Sequence, residues 1–416
     1  MNKVEKRVLD IINIDEMIGY ICELISIKSL TGDEKEAQAN VASKLESIGM
    51  EVDRWTLDLD ELSKHPDYSI EVDRKEGHGV VGVTGKEEGK TLILNGHIDV
   101  VPPGDESNWE HSPWKGISKD GKVLGRGSVD MKGGLACAIY AVKAIRDAGI
   151  ELKGKVIIES VVGEEDGGVG ALACVLRGYR ANGAIIMEPT ELKVAPAQAG
   201  ALCFRITVQG LAAHACVREE GVSALEKFIP IHNALIELER KRNERVDDPL
   251  YENFKLPIPL NMGKIHSGNW PSSVPESLVV EGRYGIEVDE DIESAQKEFT
   301  DTLDAVVQVD PWLRKHPPKM EWWGGQFKPA RIPVTDPLVE TVVSAYSDTT
   351  GDSPVLEGVT YGSDMRHLVN LGDTPTVLFG PGDVRDSHKP NEFVLVEDLE
   401  TTVRTLALSI LRFCGY

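Results

Sequence analysis

The sequence predicts an α/β fold, in which a parallel-rich sheet flanked by helices is interrupted by a smaller α+β domain. Up to about Pro196, apolar strand patterns alternate with helical patterns, which is typical of a parallel α/β sheet. From about Ala201 the pattern changes, and after Pro317-Pro318 the first pattern resumes. A chain of 416 residues exceeds the size at which a single core keeps growing. We therefore predict a first domain of residues 1–200 and 321–416, and an inserted domain of residues 201–320.

The elements of the first domain follow from apolar periodicity. Apolar residues at helical spacing predict helices, and short apolar runs predict buried strands. The predicted elements are helices over Ile14–Ile27 and Glu34–Ile48, a strand over Thr91–Leu94, a helix from Leu135 and a strand over Val156–Val162.

The inserted domain has a different order of elements. It reads as strand, helix, strand, helix, which is typical of an α+β domain. The predicted elements are a strand over Leu202–Val208, a helix over Ser223–Arg240, a strand over Leu278–Val288 and a helix over Ile292–Val307.

Composition excludes several classes of function. The formal net charge is −23, with 68 acidic residues against 45 basic ones, which argues against nucleic-acid binding. No apolar run approaches the length that spans a bilayer, so no membrane role is indicated. The N-terminus lacks the apolar segment of a secretory signal, and the six cysteines are scattered without CxxC spacing. These features favour a cytoplasmic protein with reduced thiols.

Five residues of metal-binding types stand just after short apolar runs or in a glycine-rich turn. A buried strand that ends at the edge of a parallel sheet delivers its last side chains to that edge, where ligands gather in such folds. The five residues are His97, Asp130, Glu165, Glu188 and His388.

These residue types suit a hydrolytic zinc centre. Zinc accepts imidazole nitrogen and carboxylate oxygen, and two zinc ions that share a bridging carboxylate activate water near neutral pH. Asp99 lies two residues after His97, on the same side of an extended chain, and is predicted to orient that imidazole. Of the adjacent pair Glu164-Glu165, one carboxylate can bind metal while the other acts as general base.

The ordered motifs resemble a known family of metallohydrolases. Gly96-His97-Ile-Asp99, the glycine-rich segment around Asp130, Glu164-Glu165, Glu188-Pro and Ser387-His388 are similar to the family of acetylornithine deacetylase, succinyl-diaminopimelate desuccinylase, aminoacylase and glutamate carboxypeptidase. The resemblance covers nearly the whole chain, and five motifs in the right order are specific as a set.

The resemblance implies a division of labour among the site residues. His97 and Glu188 would hold one Zn²⁺, Glu165 and His388 a second, and Asp130 would bridge both. Co²⁺ or Mn²⁺ are possible substitutes. Asp99 would orient His97, and Glu164 would be the catalytic base.

The inserted domain would be the family's lid, through which the protein forms a homodimer. Within it, Gly210-Leu-Ala-Ala-His214 matches the segment whose histidine stabilises an oxyanion in the partner's site. Arg283 and Arg366 stand where the family often binds substrate. Ser272 occupies the position of a common family asparagine, and Asn269, three residues earlier, is a further candidate for substrate binding. In this departure the chain resembles a subgroup of deformylases and related deacylases more closely.

The sequence therefore predicts a zinc-dependent amidohydrolase that cleaves the amide bond of a small N-acylated amino acid or amine. The alternatives with the same site are a metallo-dipeptidase or carboxypeptidase, and a deformylase of an N-formyl-aminopyrimidine type. An alternative of another class is a non-catalytic, metal-stabilised binding protein. Glu164 argues against that class, because a protein that only binds metal does not require a base.

Overall fold

The computed structural model describes residues 1–416, which form two compact units. Unit 1 consists of Met1–Ala197, Arg331–Gly358 and Ser363–Tyr416, and unit 2 of Gln198–Ala330 and Val359–Gly362. The division at Ala330 differs by ten residues from the predicted end of the inserted domain. The reason is a strand over Lys319–Phe327, which pairs within unit 2 and spans the predicted boundary.

Helices and strands alternate along most of the chain. The α-helices are α1 Lys3–Ile11, α2 Ile14–Ser26, α3 Lys35–Ser47, α4 Leu59–Leu62, α5 Gly133–Asp147, α6 Val169–Arg177, α7 Ala224–Asn243, α8 Ile292–Val309, α9 Pro337–Thr350, α10 Met365–Asn370 and α11 Val396–Cys414. The strands are β1 Glu51–Thr56, β2 His78–Gly85, β3 Leu92–His97, β4 Ile117–Lys119, β5 Lys122–Leu124, β6 Lys155–Val161, β7 Gly183–Ile186, β8 Ala197–Gln198, β9 Gly200–Gln209, β10 Leu260–Ser267, β11 Ser277–Ile286, β12 Lys319–Phe327, β13 Ala330–Arg331, β14 Thr376–Leu378 and β15 Phe393–Leu395.

Unit 1 is built on a six-stranded mixed sheet. Its strand order is β1-β2-β6-β3-β7-β14. Strands β6, β3, β7 and β14 are parallel to one another, and β2 pairs antiparallel with both β1 and β6. Every residue of the central strand β3 is buried, as expected for a strand covered on both faces. The predicted fold class, a parallel-rich sheet with flanking helices, is confirmed.

Helix α2 of unit 1 buries one apolar stripe. In α2 the buried residues recur at helical spacing, namely Met17, Tyr20, Ile21, Leu24 and Ile25. The helix begins where the Asn13 side chain accepts the backbone N–H of Glu16, which satisfies a donor that has no partner within the helix. Helix α2 packs on α5, which also contacts α11 and the sheet.

Unit 2 is a four-stranded antiparallel sheet packed against α7 and α8. The strand order is β10-β11-β9-β12. Phe299 of α8 packs against three aromatic rings of the sheet, at centroid distances of 4.9 Å to Phe204, 5.1 Å to Tyr284 and 5.2 Å to Trp322. These contacts form the centre of an independent hydrophobic core.

The sequence patterns missed two strands of unit 2. Strand β10 lies at the sheet edge and is mostly exposed, so it lacks the apolar alternation that reveals a strand. Strand β12 contains Gly324-Gly325 and shifts register between Trp322 and Gln326, which interrupts its pattern. Among the helices, none is long and apolar enough to cross a membrane.

Candidate metal centre

Three strand ends of unit 1 deliver acidic or imidazole side chains to one edge of the sheet. His97 is the last residue of β3, the Glu164-Glu165 pair follows β6, and Glu188 follows β7. Because β6, β3 and β7 are parallel neighbours, their carboxyl ends meet at the same edge. The topology of the sheet therefore gathers residues that are up to 91 positions apart in sequence (97 to 188).

Asp130 reaches this edge from a turn rather than from a strand. The turn Ser128–Lys132 precedes α5, and Asp130 itself has a non-helical backbone (φ −128°, ψ 93°). Gly134, at the start of α5, is required by close packing, since a Cβ there would lie 2.3 Å from the backbone oxygen of Met187. The helix can thus approach the end of β7, next to Glu188.

The two carboxylate oxygens of Asp130 face two different histidines. Its Oδ1 lies 3.1 Å from Nε2 of His97, and its Oδ2 lies 3.2 Å from Nε2 of His388. Nε2 of His388 also lies 3.1 Å from Oε2 of Glu165, and Nε2 of His97 lies 3.8 Å from Oε1 of Glu188. The five residues therefore divide into two pairs with Asp130 between them.

Two overlapping triads have ligand atoms close enough to hold a metal ion. One consists of His97, Glu164 and Glu188, and the other of His97, Asp130 and Glu165, with the atoms of each triad within 4.8 Å of one another. Glu164, the predicted base, thus lies beside His97 and Glu188. All these residues except Glu165, which is half-buried, are classed as buried in the fold.

The electrostatics fit a cation at this place. Burial lowers the pKa of an imidazole, yet the Glu165 and Asp130 carboxylates raise the pKa of His388 to about 11. Burial alone raises the pKa of a carboxyl, but hydrogen bonds from His388 and His97 lower that of Asp130. The same carboxylates would favour a divalent ion, which binds an imidazole nitrogen atom in place of a proton. A set of imidazole and carboxylate donors is what zinc accepts.

The remaining carboxyl groups respond mainly to burial. Burial raises the pKa of Glu188 to about 8. Burial and the neighbouring Glu188 charge raise the pKa of Glu164 well above that of an ordinary carboxyl group. A carboxyl with a raised pKa can both take and return a proton near neutral pH.

Asp99 is placed differently from the expectation that it accepts the second N–H of His97. The backbone oxygen of Asp99 lies 2.9 Å from Nδ1 of His97, whereas its carboxylate oxygen Oδ1 lies 3.8 Å away. The buried Asp99 carboxylate instead accepts the backbone N–H groups of Glu164 and Glu165, each at 3.2 Å. Asp99 therefore orients the imidazole through its main chain. Through its side chain it holds the turn that contains Glu164 and Glu165, the glutamate turn.

The other predicted residues lie outside this cluster. His214 is exposed in unit 2, where its Nδ1 accepts the backbone N–H of Cys216. Arg283 of β11 donates to the backbone oxygen of Thr360 at 2.8 Å. Asn269 is exposed in the turn between β10 and β11. Arg366, in unit 1 and 3% exposed, donates to the backbone oxygen of Gly167, just after the glutamate turn.

Sequence reasoning missed two buried carboxylates near the cluster. Asp364 is 1% exposed, and burial raises its pKa to about 7. Glu392 is fully buried and accepts the backbone N–H of Val129 in the Asp130 turn. Glu392 directly precedes β15, so the rule that picked out acidic residues after apolar runs did not apply to it.

Comparisons with known proteins agree with this geometry. A family model described as Peptidase family M20/M25/M40 matches residues 93–412. The N-formyl-4-amino-5-aminomethyl-2-methylpyrimidine deformylase of Bacillus subtilis (strain 168) is 29% identical over 422 residues, which cover 96% of this chain and 95% of that protein. An acetylornithine deacetylase of Myxococcus xanthus is 30% identical over 333 residues, which cover 78% of this chain and 80% of that protein.

Solved structures share the fold over nearly the full length. The di-peptidase Dug1p from Saccharomyces cerevisiae superposes with a TM-score of 0.79 at 14% identity, covering 99% of this chain and 98% of that one. Human carnosine dipeptidase 1 gives a TM-score of 0.73 at 16% identity, covering 99% of both chains. At such identities the likeness concerns the fold alone.

Proposed function

The chain belongs to peptidase family M20/M25/M40, and from that premise we propose that it is a two-zinc amidohydrolase acting on a small N-acylated amine. The observation that carries the proposal is the position of Asp130, whose two oxygens face His97 and His388 at 3.1 and 3.2 Å. A carboxylate placed between two imidazoles is suited to bridging two metal ions.

We assign the ligands from these distances. His97 and Glu188 would hold one zinc ion, and Glu165 and His388 the second, with Asp130 shared. When bound, zinc lowers the pKa of water and polarises the acyl carbonyl. The remaining chemistry falls to the residues of the chain.

Glu164 is the proposed general base. It lies beside His97 and Glu188, and its raised pKa suits transfer of a proton near neutral pH. Glu164 would accept the proton of the attacking water and then deliver it to the leaving amine nitrogen. Asp99 supports this role, because it holds the backbone of the turn that carries Glu164.

Unit 2 is the proposed lid and dimerisation domain. Helix α7 exposes three large apolar residues on one face, Leu225, Ile229 and Ile236, with 46%, 50% and 41% of their surface accessible. Strand β10, which packs near α7, leaves one backbone edge of the sheet unpaired and exposes Ile265. An apolar helix face beside a free strand edge is suited to pairing with a second copy of the same surface. In such a homodimer His214 would stabilise the oxyanion in the partner's site.

Two arginines stay candidates for contact with substrate. Arg283 and Arg366, which stand where the family often binds substrate, each donate to a backbone oxygen, of Thr360 and Gly167 respectively. A guanidinium has five N–H donors, so these hydrogen bonds leave others for a substrate. Asn269, which is exposed, stays a candidate for contact with substrate. We place an N-formyl-aminopyrimidine type of amine, as acted on by the Bacillus relative, ahead of an N-acetyl amino acid. The support is the likeness to that relative over 96% of this chain and Ser272 at the position of the common family asparagine.

A dipeptide is the second candidate substrate, because the proposed metal site serves peptide bonds equally well.

We further propose that the enzyme acts in the cytoplasm. All six cysteines are free thiols, which suits a reducing compartment.

A turnover screen tests the proposed function. Zinc-loaded protein is assayed against N-formyl, N-acetyl and N-succinyl amines and against dipeptides, and its metal content is measured on the same sample. The proposal expects release of free amine, fastest from an N-formyl heteroaromatic amine. A protein that binds zinc and hydrolyses none of these substrates would instead be a metal-stabilised binding protein.

A further inference from the structure

Glu392 connects the Asp130 turn to the segment that carries His388. It is fully buried, four residues after His388 in sequence. Its Oε1 accepts the backbone N–H groups of Val129 at 3.0 Å and of Asp130 at 3.4 Å. Its Oε2 accepts from Nη1 of Arg126 at 2.5 Å. One buried carboxylate therefore accepts three donors, two from the turn that presents Asp130 and one from Arg126, two residues before that turn.

The turn needs an external acceptor for these donors. It precedes α5 and departs from helical geometry at Asp130 and Met131. The N–H groups of Val129 and Asp130 are therefore not paired by the backbone hydrogen bonds of a regular helix. Buried N–H groups without a partner are costly. The Glu392 carboxylate supplies the partner, while its backbone oxygen accepts the N–H of Gly125 at 3.0 Å. Glu392 thus contacts the first half of the turn and the two residues Gly125 and Arg126 that stand before it.

The same short segment places His388. Since Nε2 of His388 lies 3.2 Å from Oδ2 of Asp130, the segment 388–392 contacts Asp130 twice, at its side chain and at its backbone. The segment therefore holds His388 and Asp130 in a fixed position relative to each other. Glu165 comes from a different turn, which Asp99 holds by accepting two consecutive N–H groups in the same way.

We infer that Glu392 is a positioning residue, which holds the Asp130 carboxylate against His388 and thereby sets the affinity of the second metal ion. The inference rests on the two-metal centre proposed above. Loss of the Glu392 carboxylate lets the Asp130 turn shift relative to His388, and this weakens the metal site that these two residues share with Glu165. The first metal site keeps His97 and Glu188, which are positioned by the ends of strands β3 and β7.

A cobalt titration tests this role on the full-length protein. The protein is freed of metal with a chelator and titrated with Co²⁺, and both the affinity and the visible spectrum of each bound ion are recorded. In Glu392→Gln we expect the second ion to bind about 10-fold or more weakly, as is usual when a group supporting a ligand is lost. The first ion also shares Asp130 but keeps His97 and Glu188 at the ends of β3 and β7, so it should lose clearly less affinity than the second ion. Glu397→Gln, which replaces an exposed acid at the start of α11, is the matched control and should bind both ions as wild type does.

The outcomes separate positioning from a merely structural role. Thermal unfolding of each metal-free variant shows whether it is folded, and if Glu392→Gln is not, Glu392→Asp replaces it under the same criterion. A folded variant that binds both ions with wild-type affinities and spectra overturns the inference. An equal weakening of both ions also overturns it, because general loosening does not single out one site. Wild-type protein that binds fewer than two ions overturns the two-metal proposal and this inference with it.

Discussion

The Asp99 carboxylate accepts the backbone N–H of Glu164 at 3.2 Å, so the residue two positions after His97 fixes the turn of the proposed base. The sequence predicted a different partner for this carboxylate, the imidazole of His97. Its second oxygen accepts from Glu165 and from the Thr31 hydroxyl. A buried carboxylate that accepts several hydrogen bonds has a fixed position. Asp99, two residues after the end of the strand that supplies His97, therefore fixes the position of Glu164.

Replacing Glu164 by Gln should abolish most turnover without removing metal. The amide keeps the size of the side chain but cannot take a proton, so kcat should fall by about 10²- to 10⁴-fold. Zinc content is measured on the same samples by mass spectrometry. Glu165→Gln is the paired variant and should lose zinc as well as activity. Loss of metal in Glu164→Gln would instead identify Glu164 as a ligand, as its closeness to His97 and Glu188 permits.

Removing metal should lower the thermal stability of the protein. Glu164, Glu165, Glu188 and Asp130 crowd around two imidazoles, and a divalent ion offsets the repulsion among the carboxylates. Binding to the folded state also stabilises it by mass action, by about 2.7 kcal/mol at a metal concentration 100 times Kd. Calorimetry with chelator and then with added zinc measures the fall and recovery of Tm. An unchanged Tm with complete metal removal would contradict this account.

Glu159→Gln should stabilise the protein in a manner that depends on pH. Glu159 of β6 is fully buried, and burial raises its pKa to about 7, which favours its neutral form. Its stabilising contribution is therefore present below the unfolded pKa of about 4.3 and is lost as the pH rises through 7. The variant should be more stable than wild type at pH 8, by on the order of 1 to 3 kcal/mol, and nearly equal to it at pH 4.

Urea unfolding at the two pH values measures this difference. Glu151→Gln is the control, because that side chain is 81% exposed and gains nothing from neutrality. A difference between Glu159→Gln and wild type that is equal at both pH values would show that the charge of Glu159 does not matter.

Ile229→Glu should convert a dimer to a monomer. The residue is half exposed on the apolar face of α7, so a carboxylate is harmless in a monomer but would be buried in the proposed interface. Light scattering after gel filtration gives the mass. If His214 acts across the interface, kcat should fall with the dimer, by about 10²- to 10³-fold. Lys241→Gln on the same helix is the control, and a wild-type protein that is monomeric at assay concentrations would contradict the proposal.

The sequence was informative where chemistry and strand ends coincide. His97, Glu165 and Glu188 follow buried apolar runs, so a pattern along the chain located them, and the parallel strand order then accounts for their meeting. Glu392 could not be found in this way. Its role depends on hydrogen bonds to residues more than 260 positions away in sequence, and no local pattern encodes such a contact.

The same limit applies to Asp99 and to the edges of unit 2. The spacing predicted that the Asp99 carboxylate orients His97. In the structure the backbone oxygen of Asp99 contacts the imidazole, and the carboxylate accepts from the backbone of the distant Glu164. Strand β10 is specified by pairing with β11 rather than by its own polar sequence. Sequence patterns thus predict elements that bury apolar residues. They miss contacts and strands that depend on pairing with a distant part of the chain.

The points where the main chain leaves and re-enters unit 1 lie side by side, since the backbone N–H of Ile332 donates to the oxygen of Pro196 at 2.9 Å. All five proposed ligands belong to unit 1. An insertion whose ends are already joined in the host adds little strain as it lengthens or changes sequence. The insertion 198–330 can therefore change in length or sequence without displacing the five proposed ligands of unit 1.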